Sequence, residues 1–212
     1  HVQAMRKLYA AMAEDCCRTF GQRIVVRGKS AGHVVETKEE GGFAAFFRRL
    51  ALQWINLEPV RRRITSVTET TRNQITAMVA KGQEEGLGVD AIAKSISDRA
   101  PIIGRTRGAL IARTETHGAA NYAAQETAKT TGLELVKEWV SVEDARTRSI
   151  ARGDAFDHAA MDGQQREMDE PFDMPWIGGG GEPLKIMYPG EAGHPGGATI
   201  NCRCAVVHDV KD

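Results

Sequence analysis

The sequence predicts an α+β protein in which a long helical N-terminal part is followed by a small α+β module with short strands. Two observations carry this. Up to Gly132 the apolar residues recur three or four apart; after it they alternate, as in Leu133-Glu-Leu135-Val-Lys137-Glu-Trp139-Val-Ser141. Helical spacing that gives way to alternation marks two kinds of layer in one chain. With 212 residues, 42% apolar and 26% charged, the chain can bury one or two cores and is not disordered throughout. No apolar run approaches the ~20 residues that a membrane span requires, and the start has the pattern of neither a signal nor a transit peptide. The first residue is His1 rather than Met, so a preceding segment is expected.

Val2 to Phe20 reads as a helix, with Val2, Met5, Leu8, Tyr9, Met12 and Cys16 at helical spacing. Gly21 to Gly42 is a linker or a small hairpin excursion. Phe43 to Leu57 is helical again, its Phe43, Phe46, Phe47, Leu50, Trp54 and Leu57 forming a broad apolar stripe for a core or a partner. Pro59 opens the next helix, where its missing N–H costs nothing, and Val60 to Lys81 continues it. Arg61, Arg62 and Arg63 set positive charge against that helix's dipole. They are either a solvated face or a contact for an external anion, such as a nucleic-acid phosphate or a partner's carboxylates.

Gly86-Leu-Gly88 breaks the chain, Val89 to Arg99 forms a short helix that Pro101 ends, and Gly104 to Thr131 forms a long one that stops at Gly132. On this last helix Arg113, His117 and Asn121 fall one turn apart and share a face that can meet the strand module. Alanines at 119, 120, 123 and 124 permit close backbone packing there. Residues 1–132 are therefore expected to form a helical arm or bundle, with 21–42 as its excursion. Residues 133–212 are expected to form the α+β module, with helix 104–131 packed on it. Phe172, and Ile186 to Tyr188, mark short extended pieces, and Thr199 to Val207 reads as the final strand. The run Gly178 to Gly181, between Pro175 and Pro183, reads as a mobile surface loop, since neither the Lys-Ser or Lys-Thr of a phosphate loop nor a helix follows it.

Net charge is zero but unevenly spread: residues 1–63 hold 12 Lys or Arg against 6 Asp or Glu, while residues 133–212 hold 8 against 15. A chain polarised in this way can turn its basic end toward nucleic acid or an acidic partner, or can simply carry solvated helix faces. The four cysteines fall as Cys16-Cys17 and Cys202/Cys204, a pattern unlike a secreted disulfide scaffold, and reduced thiols are expected.

Cys202 and Cys204, two apart on an extended segment, face the same way. They are small buried hydrophobes, half of a zinc site, or a disulfide; a strand-borne Cys-x-Cys is a weaker zinc signal than Cys-x-x-Cys. In the zinc reading His158 or His194 adds a third ligand and Asp162 or Asp144 a fourth. His158 sits on a short helical turn closed by Gly163. It is a hydrogen-bonded structural residue, or else a ligand or general base oriented by Asp157 or Asp162. Arg146 and Arg148 beside Asp144 form a buried charge network or grip a phosphate. No Ser-His-Asp order, Walker loop or His-Glu-x-x-His box is present.

Four clusters recur together: Asp144-Ala-Arg146-Thr-Arg148, His158-Ala-Ala-Met-Asp162-Gly163-Gln164, Tyr188-Pro189-Gly190 and Asn201-Cys202-Arg203-Cys204. Upstream stand Arg113-Thr-Glu115-Thr-His117 and Lys137-Glu-Trp139. This set resembles the head-morphogenesis domain of tailed bacteriophages, the Mu F-like minor head protein family, over roughly the second half of the chain. One spacing departs from the family pattern: Ser149 to Asp157 stand between the arginine box and His158. The resemblance implies a structural minor head protein of a phage or prophage, not an enzyme, that associates with the portal protein and acts in head assembly and in DNA packaging or delivery. It also implies major capsid or scaffolding protein and packaged DNA as further partners, with the virion, and the host cytoplasm during assembly, as its location. The alternative is a zinc-dependent hydrolase or nuclease built on His158, Cys202 and Cys204, with Asp162 or Glu191 as its base.

Overall fold

The computed structural model describes residues 41–85 and 89–211, with single positions 10, 14, 18 and 25. The helix expected at Val2–Phe20 with Cys16-Cys17, most of the 21–42 excursion, and the Gly86–Gly88 break lie outside the described residues. Helix α1 spans Gly42–Asn56 and starts beyond Gly41, whose left-handed backbone (φ 90°) suits glycine. One face buries Phe46, Phe47, Leu50, Ala51, Trp54 and Ile55, as the apolar stripe requires. Leu57 turns the chain sharply, its N–H bonded to the Trp54 carbonyl at 3.1 Å, and α2 (Glu58–Glu84) begins at once.

Helix α3 runs unbroken from Val89 to Lys129, 41 residues. The stop expected at Pro101 does not occur. A proline removes one N–H and crowds one carbonyl, a local cost of ~3 kcal/mol that kinks a helix without ending it when the flanking turns hold. Ala119 and Ala123 of α3 close the first core with Val60 of α2 and the α1 stripe. Small side chains let the backbones approach, and each large side chain buried there contributes roughly 1.5–3 kcal/mol.

Gly132, at φ 71°, redirects the chain into the module. Strand β1 (Leu135–Val140) is central in a three-stranded antiparallel sheet of order β2-β1-β5, between β2 (Gln165–Glu167) and β5 (Ala205–Val210). Trp139 pairs with Val206 in this register. A two-stranded ribbon of β3 (Phe172–Met174) and β4 (Leu184–Ile186) covers the sheet, so that Trp139, Met161, Phe172, Met174, Ile186 and Tyr188 form a second core together with Ala124 of α3. The α+β fold class is thus observed, and α3 serves both cores.

Three details differ from the sequence reading. Strand β2, three polar residues on the sheet edge, has no periodicity to announce it. The final strand begins at Ala205 rather than Thr199: Gly196–Thr199 is a single helical turn (α4), and Asn201 takes a left-handed backbone (φ 56°) that extended pairing excludes. The four-glycine run lies at the surface as a built turn. Gly178 and Gly179 lie against the Trp176 ring so closely that a Cβ would stand 2.5 and 2.3 Å from it.

Candidate metal centre

The site grows from the end of β1. Ser141 donates its N–H to Asp162 Oδ1 (2.6 Å) and its hydroxyl to the His158 carbonyl (2.5 Å), tying the strand end to the 158–163 turn. Gly163, at φ 71°, closes that turn and donates its N–H to the Trp139 carbonyl at 2.9 Å. Asp144 accepts the Arg146 N–H at 2.9 Å and is gripped by both Nη atoms of Arg203, one of them at 2.6 Å. Those Arg203 hydrogen bonds hold its carboxyl well below the usual carboxylate range.

The segment Ser149 to Asp157 loops out and returns. It contains a 3-10 turn, Ile150–Arg152, capped by Ser149 Oγ and ended by left-handed Gly153. Asp154 accepts the Ser149 N–H (3.0 Å), and Asp157 accepts those of Ile150 (3.2 Å) and Ala160 (3.0 Å). The loop thereby closes on itself, and the Arg148 carbonyl takes the N–H groups of His158 and Ala159, both at 3.0 Å. Arginine box and histidine are adjacent in space despite the residues between them. Arg148 also reaches the Ile200 carbonyl at 2.7 Å, strapping the last loop down.

Here His158 meets the two cysteines. Its Nδ1 lies 3.6 Å from Cys202 Sγ and 3.6 Å from Cys204 Sγ, and the three ligand atoms fall within 4.8 Å of one another. All three residues are buried: His158 is 2% exposed, Cys202 4% and Cys204 3%. His158 Nε2 stands 3.3 Å from the Gly197 carbonyl, so it carries the proton and leaves the Nδ1 lone pair toward the sulfurs. Gly197 has to be glycine, because a Cβ there would stand 2.5 Å from the Phe156 ring. Ser141 Oγ adds a contact to Cys204 Sγ at 3.6 Å. The Cys202 thiol, the largest influence, holds the Cys204 thiol down at about 4 against the effect of burial, with His158 and Ser141 assisting. Cys202 is pushed up by the same neighbour and by burial.

Such a donor set suits zinc. Sulfurs at about 2.3 Å and a nitrogen at 2.0–2.1 Å from a tetrahedral ion stand about 3.6 Å apart, which is the spacing observed. The other proposed ligands are elsewhere. His194 pairs with Glu191 at 3.0 Å, and Glu191 also accepts the Met187 N–H at 2.7 Å. Asp162 and Asp144 are held by Ser141 and Arg203, and among the described residues no carboxylate joins the cluster. Nor does a carboxylate orient His158, since Asp157 caps the neighbouring loop and a backbone carbonyl fixes the ring. The cysteines stay in the loop ahead of β5 and still face one way. Both are free thiols, so the disulfide alternative is not realised.

The helix box supports this loop from below. Thr114 Oγ1 accepts the Asn201 N–H at 3.0 Å, and Asn121 accepts the Val206 N–H (3.0 Å) while donating to the Cys204 carbonyl (3.4 Å). His117 contacts Asn121 at 3.0 Å, and burial lowers its pKa. Gly118 backs onto Gly190 beside buried Pro189; a Cβ on Gly118 would lie 2.9 Å from the Gly190 carbonyl. Arg113 is exposed at the rim of a groove between α3 and the start of β5, lined by His117, Asn121, Ala205 and Val206. Sequence reasoning missed Thr114 and Ser141, for which the only signal was position: one lies inside the helix box and the other at the strand end.

The triple arginine divides. Arg61 and Arg62 pair with Glu58, at 3.8 and 2.9 Å, on the exposed side of α2. Arg63 turns inward to buried Glu115 at 3.1 Å, so it is not available to an external phosphate. Burial raises the Glu115 pKa, and Arg63 opposes the rise.

The family profile described as Phage Mu protein F like protein matches residues 73–207, well over half of the chain. The chain belongs to this family. It is a phage head-related protein. No curated protein and no solved structure matches it. The match runs from the middle of α2 through α3 and the module, so α1 and Arg61–Arg63 lie outside it. Among the described residues no helix is long and apolar enough to cross a membrane.

Proposed function

We propose that this Mu F-like protein is a minor head protein that docks on the portal and acts in head assembly, with a further part in DNA packaging or delivery. The observation that carries this reading is α3. Its 41 residues are about 60 Å of helix, of which the C-terminal half is built into both cores. Two helices of 27 and 41 residues joined to a strand module suit docking of helices into a groove of a large ring.

A non-catalytic role is supported by the burial of His158, Cys202 and Cys204 beside the Arg148–Ile200 and Arg203–Asp144 contacts. DNA contact by the front of the chain draws on its basic charge, although Arg61 and Arg62 already have a carboxylate neighbour. The test is co-expression with the portal protein of its own gene neighbourhood, followed by size exclusion and mass measurement. The reading expects a complex of fixed stoichiometry that a chain lacking residues 64–109 cannot form. A chain that stays monomeric beside its portal removes it. Retention on DNA that does not fall with added salt removes the DNA part.

A further inference from the structure

We propose that His158 Nδ1, Cys202 Sγ and Cys204 Sγ bind one Zn²⁺, and that this ion clasps the 141–163 and 197–204 loops to the end of β1. The inference stands independently of portal docking. Its basis is that the three groups converge at the spacing of ligands about one ion, each sulfur 3.6 Å from Nδ1. A neutral imidazole offers one lone pair, yet both sulfurs stand 3.6 Å from the same Nδ1. One hydrogen bond accounts for only one of those contacts, whereas a metal between the three accounts for both. Two thiols and an imidazole select a borderline-soft ion such as zinc over calcium or magnesium. The Gly197 carbonyl on Nε2 is the outer partner that a zinc-bound histidine requires, and it fixes the ring with Nδ1 inward.

A clasp also meets a need of this fold. The strands here are three to six residues long, and the loops that cross at His158 bring two large apolar side chains, Phe156 and Met161, to the core beside the small Ala198, Cys202 and Cys204. In modules of this size a metal cross-link supplies stability that the core cannot. The three protein ligands leave a fourth position on the side of the cleft lined by Val142, Arg148, Asn201 and Arg203. In that wall Asn201 Oδ1 is buried without a partner, and a zinc-bound water gives it one. Three ligands and a water is also the pattern of catalytic zinc, but the two arginine straps narrow this cleft to the size of the water.

The test uses the full chain purified under reducing conditions. Non-denaturing mass spectrometry is expected to find one zinc per chain. After stripping, Co²⁺ titration is expected to give a thiolate-to-cobalt charge-transfer band with an end point of one per chain. Cys202→Ser, Cys204→Ser and His158→Asn each lose the band. Asn201→Gly, which keeps the left-handed backbone, retains the stoichiometry and weakens affinity about 10-fold. Three results overturn the proposal: no cobalt band in wild-type chain whose far-ultraviolet dichroism shows it folded, a band that persists in both cysteine variants, or an unreduced chain in which peptide mapping finds Cys202 and Cys204 joined to each other. Should the variants not fold, the wild-type titration still decides.

Discussion

The helical unit and the strand module fill their interiors in different ways. The first core is almost purely apolar: Phe43, Phe46 and Phe47 contact one another at centroid distances of 5.4–6.4 Å, and Leu50, Trp54, Ile55 and Val60 close around them. In the module, side chains hold the backbone at nearly every turn. Asp154, Asp157, Asp162 and Glu191 accept main-chain N–H groups, Gln164 both accepts from and donates to the Asp173 backbone, and Arg148 and Arg152 reach carbonyls. The reason lies in the accounting of backbone hydrogen bonds. A helix satisfies its own peptide groups, whereas short strands joined by loops leave many without a ladder partner. The acidic excess of residues 133–212 is therefore in large part a structural resource, and only the remainder is available as a field toward partners.

The largest test of this contrast is Trp54→Ala in the apolar core. It should cost about 3–5 kcal/mol in chemical denaturation, and a cost under 1 kcal/mol would mean that the first core is not a packed unit. Next comes the seam between α2 and α3. Glu115→Ala leaves Arg63 buried without its carboxylate and is expected to cost about 3 kcal/mol, whereas Arg63→Met with Glu115→Met together should recover most of that loss.

Lys137, fully buried with Nζ on the Met187 carbonyl (3.0 Å) and over the Phe172 ring (5.0 Å), supplies a pH test within the module. Burial, aided by Lys129 and opposed by Glu191, Asp169 and Glu170, lowers it to about 8. Because the folded chain then releases its proton before the unfolded chain does, stability should rise with pH between about 8 and 10, by about 2 kcal/mol. In Lys137→Met this rise should be absent from the difference between variant and parent. Smaller still, Gln164→Ala removes two side-chain-to-backbone bonds and should cost about 1–2 kcal/mol. At the low end, Arg62→Gln on the exposed face of α2 should change stability by less than ~0.5 kcal/mol. A larger effect would indicate that the Glu58 pair matters beyond the surface.

Much of this architecture could be read without coordinates, because helical spacing, alternation and glycine stops reflect burial that local sequence encodes. The stripe of α1, the switch at Gly132, β1, and the shared face of His117 and Asn121 are of this kind. Where the reading went astray, a local rule met a tertiary one. Pro101 carries a breaker's penalty that 41 residues of helix absorb. Asn201 leaves the extended region so that its N–H can reach Thr114, and this shifts the last strand toward the C-terminus. Strand β2 exists because β1 offers an edge, not because Gln165-Arg-Glu167 prefers to be extended.

By itself the sequence determined the α+β order of layers, the family and the residue types His158, Cys202 and Cys204, since these depend on spacing and composition. Only the tertiary structure decided which histidine joins the cysteines, that Asp144 and Asp162 do not, that Arg63 faces inward, and that the arginine box meets His158 across the Ser149–Asp157 loop. Those outcomes depend on loop closure and on which buried polar groups lack a partner, quantities that belong to distant segments brought together and to no stretch of chain alone.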